Sequence, residues 1–149
     1  MPVRLAQVPY VEFRVEHDDS SHLINLYKDK LCKLKPVTYV IGLPCVDVMD
    51  RACVDECPVD CIYEGARTLY IHPDECVDCG ACEPVCPVEA IYYEDDLPQA
   101  LRAYQADNEQ FFTEPLPGRP DPLGSPGGAA RLGPLGADTA MVAALPPKE

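Results

Sequence analysis

Two cysteine runs have the residue type and spacing to hold metal. In "CVDCGACEPVCP", Cys76, Cys79, Cys82 and Cys86 form C-x2-C-x2-C-x3-C-P. The run "CVDVMDRACVDECPVDC" closes the same way, as Cys53-x3-Cys57-Pro58, and opens on Cys45. Val48 stands where a second cysteine would follow Cys45. Thiolates are soft ligands that select zinc, copper(I) or iron–sulfur clusters. Zinc sites typically use two separated C-x2-C knuckles. The unbroken run of four cysteines is instead the spacing of bacterial iron–sulfur proteins.

In two-cluster proteins built on this run, the fourth cysteine ligates the other cluster. By that rule Cys76, Cys79 and Cys82 take one cluster, and Cys57 from the first run completes a 4Fe-4S set. Cys86 crosses to join Cys45 and Cys53. Three thiolates, with Val48 unable to supply a fourth, suit a 3Fe-4S cluster. Each would be a one-electron centre. A second reading remains open. Asp47 and Asp50 align with Cys76 and Cys79 in the ungapped repeat, and a carboxylate on a fourth iron would give two 4Fe-4S clusters. The plainer reading of both acids is solvated loop residues. Cys61 aligns with Ala90, so an inert buried thiol is expected there, and Cys32 is expected to be free. His72, in "IHPDEC", reads as a linker residue that hydrogen-bonds locally.

These clusters need positioning by a small scaffold, and the sequence repeats to provide one. Shifted by 29 residues, "ACVDECPVDCIY" (Ala52–Tyr63) lies on "ACEPVCPVEAIY" (Ala81–Tyr92). Two similar half-units about a pseudo-twofold axis follow. Each half is expected to carry a short helical turn between its last two cysteines. Pro58 and Pro87, which lack an N–H and fix φ, would end those turns. The β-branched and aromatic stretches Thr38–Ile41, Ile62–Tyr63, Leu69–His72 and Ile91–Tyr93 read as strands, with a turn through Gly65. The expected order is βαββαβ, an α+β fold. About 60 residues bury little core, so the metal itself would act as a staple.

Composition divides the 149-residue chain into an extension (1–36), the cysteine-rich segment (37–97) and a tail (98–149). The tail has nine Pro and six Gly, near the level of disorder. Residues 98–112 nevertheless read as an amphipathic helix laid on the core, its aromatics serving packing, followed by loop. In the extension, "VPYVEFRVEH" alternates like a strand and "SSHLINLYKDKLCKLK" could form a capped helix. Acid is concentrated around the cysteines: 14 Asp and Glu against Arg51 and Arg67 in residues 37–97. Phosphate backbones would be repelled, which argues against nucleic acid and for a partner with a basic face. There is no apolar leader and no stretch long enough to span a membrane. Nine cysteines in such a chain place it in the cytoplasm, with thiols kept for metal or redox work.

Residues 38–97 resemble the seven-iron ferredoxins of high-GC bacteria. The resemblance rests on "TYVI", "CVDVMDRACVDECPVDCIYEG" and "LYIHPDECVDCGACEPVCPVEAIYYEDD"; the tail pieces "LGSPGGAARLG" and "ALPP" also resemble that group. It implies a ferredoxin-like fold, one cluster of each type, and electron shuttling as a monomer without catalysis. Some members carry an acid directly before the second ligating cysteine, which relays a proton to the three-iron cluster. Ala52 stands there in this chain, with Asp50 two residues away, which leaves that relay without its residue. Some archaeal members bind zinc through histidines of an N-terminal extension; here only His17 and His22 stand in it. The resemblance begins at Thr38, where members commonly have a preceding initiator methionine. Val37 is therefore expected to be the true start, read from a GTG codon, with residues 1–36 as leader translated on paper.

Three function classes suit clustered thiolates: an electron carrier between a reductase and acceptor oxidoreductases, an iron–sulfur sensor, and a zinc-stabilised interaction module. A sensor needs an output module and an enzyme needs a nucleophile–base set or nucleotide loop. The sequence carries none of these, so the carrier is the reading adopted.

Overall fold

The computed structural model describes residues 37–149. The extension, with its expected strand and helix and with His17, His22 and Cys32, lies outside the described residues. Four short strands form: β1 (Tyr39–Ile41), β2 (Ile62–Glu64), β3 (Leu69–Ile71) and β4 (Ile91–Tyr93). They make two antiparallel pairs. β1 pairs with β4 in the register Tyr39–Tyr93, Val40–Tyr92 and Ile41–Ile91. β2 pairs with β3 through Ile62–Ile71, Tyr63–Tyr70 and Glu64–Leu69. Gly65 opens the turn between β2 and β3. A Cβ there would lie 2.3 Å from Asp138 Oδ1 and 2.8 Å from the Tyr70 ring, so no side chain fits.

Alternation along the strands divides the core in two. Val40, Tyr63 and Tyr70 face one cluster of buried residues, and Ile41, Ile62, Leu69 and Ile71 face the other, which holds the cysteines. Burying both faces is why these strands read as continuous apolar runs.

The helical expectation holds in one half only. α1 (Ala52–Glu56) forms between Cys53 and Cys57. Between Cys82 and Cys86 the chain makes only a turn, closed by the Cys86 N–H on the Glu83 carbonyl at 3.2 Å. The cause is one residue. In α1 the Asp55 N–H donates to the Arg51 carbonyl at 3.3 Å. Its repeat partner is Pro84, which has no N–H to donate. The second helix of the expected βαββαβ order is thus missing among the described residues.

After the cysteine region, α2 (Ala103–Thr113) follows a 3-10 turn at Gln99–Leu101. Phe111 stacks on Tyr70 with ring centroids 3.8 Å apart, and Phe112 meets Tyr63 edge-on at 5.0 Å. Burying each ring is worth about 1.5–3 kcal/mol. Asn108, also buried, joins the two sheets: its Oδ1 accepts from Ile71 N–H at 3.2 Å and its Nδ2 donates to the Ile41 carbonyl at 3.1 Å.

The tail has a fixed course. Leu116, Ala129 and Val142, the last within α3 (Ala140–Ala143), are buried in the same core as the α2 aromatics. Ala129 and Ala130 donate to the Asp60 carbonyl and carboxylate, both at 2.8 Å, and Leu135 N–H reaches the Glu64 carbonyl at 2.9 Å. Composition had placed this segment near disorder. Stitching by single buried apolar residues and backbone hydrogen bonds leaves no periodic signal to read.

Candidate metal centre

The repeat is visible in the backbone around the sulfurs. Met49 and Asp78, 29 residues apart, both take left-handed conformations with φ of 48° and 56°. Asp60 and Glu89 do so too, at 54° and 50°. The second pair bends the chain back on the preceding cysteine. Cys61 N–H then donates to the Cys57 sulfur at 3.4 Å, and Ala90 N–H donates to the Cys86 sulfur at 3.3 Å. Such bonds favour a thiolate over a thiol.

Cys57 lines one pocket with Cys76, Cys79 and Cys82. Cys61 lines it as well, and Tyr39, Ile62 and Ile71 supply apolar walls. Sulfurs of the first run, Cys57 and Cys61, thus share a pocket with three sulfurs of the second. Burial pushes the Cys82 thiol up to about 12, with further repulsion from Cys76, Cys53 and Cys57. Cys76 goes the other way, down to about 5, chiefly because the Cys61 thiol hydrogen-bonds to it. Cys61 itself is driven well above the ordinary thiol range by that same bond and by burial.

Cys53 sits deep at the start of α1, 3% exposed, and burial pushes its thiol up to about 12. Repulsion from Cys45 and Cys86 raises it further. Cys45 is buried, closing a 3-10 turn at Leu43–Cys45. These groups fit an iron–sulfur cofactor by their chemistry: buried soft sulfurs that repel one another as bare thiolates, eased by N–H donors and by any cation among them. Among the described residues, no three His, Cys, Asp or Glu side chains gather closely enough to hold a single ion.

The residues of the alternative reading have other work. Both Asp47 oxygens accept from Arg67, at 2.8 and 2.7 Å, and Lys148 N–H adds a third bond at 3.0 Å. The Arg67 bonds hold its carboxyl well below the usual carboxylate range. Asp50 accepts from Ala52 N–H at 3.0 Å, at the mouth of α1. Val48 is 45% exposed.

His72 does more than local bonding. Its Nδ1 accepts from Asp74 and Glu75 N–H at 3.1 and 3.3 Å, while Nε2 donates to the Gly124 carbonyl at 2.8 Å. It therefore ties the turn before Cys76 to the tail. Sequence reasoning found the local half of this and missed the half 52 residues away. The same holds for Arg67, which carried no motif. Its isolation in an acidic segment was the one available hint.

A small α/β scaffold carrying cysteines at this spacing defines an iron–sulfur protein. The family described as 4Fe-4S binding domain matches residues 69–92. A ferredoxin of Mycobacterium tuberculosis is 68% identical over 110 residues, covering 74% of this chain and 96% of the relative. A ferredoxin of Streptomyces griseus is 64% identical over 111 residues, covering 74% and 98%. A protein of Hydrogenibacillus schlegelii named Ferredoxin 7Fe is 54% identical over 76 residues, covering 51% and 97%. The chain belongs to the ferredoxins, which carry electrons and are not enzymes.

Proposed function

We propose that this ferredoxin is a one-electron carrier with two unlike clusters. Cys57, Cys76, Cys79 and Cys82 would hold a 4Fe-4S cluster, and Cys45, Cys53 and Cys86 a 3Fe-4S cluster. Both supply reversible one-electron redox chemistry when bound. The observation that carries the reading is the shared pocket of Cys57 with the three close cysteines of the other run. Three further points support it: repulsion from Cys45 and Cys86 raises the Cys53 thiol, Val48 offers no sulfur, and the Asp47 oxygens are taken. The name of the Hydrogenibacillus relative agrees with seven irons.

The chain's own residues set the working conditions. Tyr39, Ile62 and Ile71 supply apolar walls to the pocket of Cys57, Cys76, Cys79 and Cys82. Cys79 stays exposed, flanked by the exposed side chain of Val77, which gives electrons a short route to a docked partner. The acid of residues 37–97 would draw a basic face of a reductase or acceptor oxidoreductase to that route in the cytoplasm. Among the described residues, no helix is long and apolar enough to cross a membrane.

Paired substitutions test the crossed assignment. Cys57→Ala should cost the four-iron cluster and spare the three-iron one. Cys86→Ala should do the reverse. Iron counts and electron paramagnetic resonance read both, and a four-iron cluster intact in Cys57→Ala would sink the assignment.

A further inference from the structure

Arg67 lies just beyond β2, in the turn toward β3, and none of its neighbours is local. Its Nε and Nη2 donate to the two Asp47 oxygens at 2.8 and 2.7 Å. Nη1 donates to the carbonyls of Val142 and Leu145 at 3.0 and 2.7 Å, and Nη2 to that of Pro146 at 3.0 Å. A guanidinium has five N–H donors, and all are used. The backbone doubles the link. Asp47 N–H donates to the Arg67 carbonyl at 2.7 Å. Lys148 closes the far end, its N–H on Asp47 and its Nζ on the Pro44 carbonyl at 2.9 Å. The end of the chain is therefore fastened over the loop that begins at Pro44 and Cys45.

We propose that Arg67 is a positioning residue for the Cys45 loop: it clamps the C-terminal peptide Val142–Lys148 across that loop and guards the cluster on Cys45, Cys53 and Cys86. This rests on the ligand assignment proposed above. A site with three protein ligands has one fewer bond to resist loss than its neighbour, and its loop has Val48 where a fourth sulfur would have anchored it. The clamp supplies the missing anchorage from outside. Charge alone does not explain it, because three of the five bonds go to peptide carbonyls. Lysine, with three donors on one nitrogen, cannot reproduce the fork.

The test is cluster retention in the loaded protein under a chelator. Native mass spectrometry reads each cluster separately by mass, and paramagnetic resonance follows the oxidised three-iron signal. Arg67→Gln should lose the three-iron cluster roughly tenfold faster than wild type, as expected for about 1.4 kcal/mol of lost closing free energy. The four-iron cluster should be lost at the wild-type rate. Arg67→Lys should recover part of the difference. Truncation after Ala144, which removes two of the carbonyl acceptors and Lys148 but keeps buried Val142, should show the same selective loss. That truncation carries the test alone if Arg67→Gln assembles neither cluster.

Equal acceleration of both clusters, full rescue by lysine, or no change in either variant would overturn the proposal. Cys86→Ala is measured alongside. If it leaves the three-iron signal in place, the ligand assignment fails; if it removes that signal while Arg67→Gln leaves retention unchanged, the clamp alone fails.

Discussion

The sulfurs of Cys57 and Cys61 lie 3.5 Å apart, and the proposed ligand set takes only Cys57. Cys61 is 2% exposed, and burial together with its sulfur neighbours drives its thiol well above the ordinary range. Cys61→Ala should therefore leave the iron count unchanged. It should lower the four-iron cluster's reduction potential, because a donor that favours the more negative reduced state is lost. One modest hydrogen bond on a one-electron couple is worth roughly 20–40 mV. Film voltammetry with an iron assay checks both. Lost iron in the variant would make Cys61 a ligand.

Asp107, on α2, is a buried carboxylate whose two oxygens have no hydrogen-bond partner. Burial raises its pKa, and Asp138 adds to the rise; the Thr139 hydroxyl lies near enough to oppose it without bonding geometry. The sign follows from linkage. The folded state binds the proton more tightly, so stability is full below the unfolded carboxylate value near 4 and falls as pH climbs through the folded value. Asp107→Asn should then stabilise the protein at pH 8. The gain should shrink toward pH 4.5, as the unfolded carboxylate value is approached. Anaerobic guanidinium unfolding at both pH values measures it, and a gain independent of pH would contradict the account.

Electron transfer to a basic partner should slow as salt rises. The cysteine segment carries 14 acids against Arg51 and Arg67, and exposed charges are screened beyond about 8 Å at physiological ionic strength. Stopped-flow rates across a salt series test this. A rate indifferent to salt would reduce the acid to a solubility feature.

Local chemistry was legible and distant pairing was not. The strands were visible as short β-branched and aromatic runs, and the 29-residue repeat recurs in the backbone as matching left-handed turns at Asp60 and Glu89. The repeat misled at Pro84, where identical flanking cysteines hid a missing N–H. The tail's buried Leu116, Ala129 and Val142 stand singly among Pro and Gly, so burial there has no period to detect. Arg67 and Val142 are 75 residues apart, and nothing in either neighbourhood names the other. Of the candidate site, spacing alone nominated the sulfurs. The side chains that hold their loops in place were not.

The most direct measurement is an iron and sulfide count on anaerobically purified protein, joined to the paramagnetic resonance spectrum of the oxidised state. Three thiolates at Cys45, Cys53 and Cys86, with the Asp47 oxygens engaged by Arg67, lead to seven irons and the signal of an oxidised three-iron cluster. The oxidised four-iron cluster is silent. Eight irons with a silent oxidised spectrum would contradict the account and return a carboxylate of the Cys45 loop to the list of ligands.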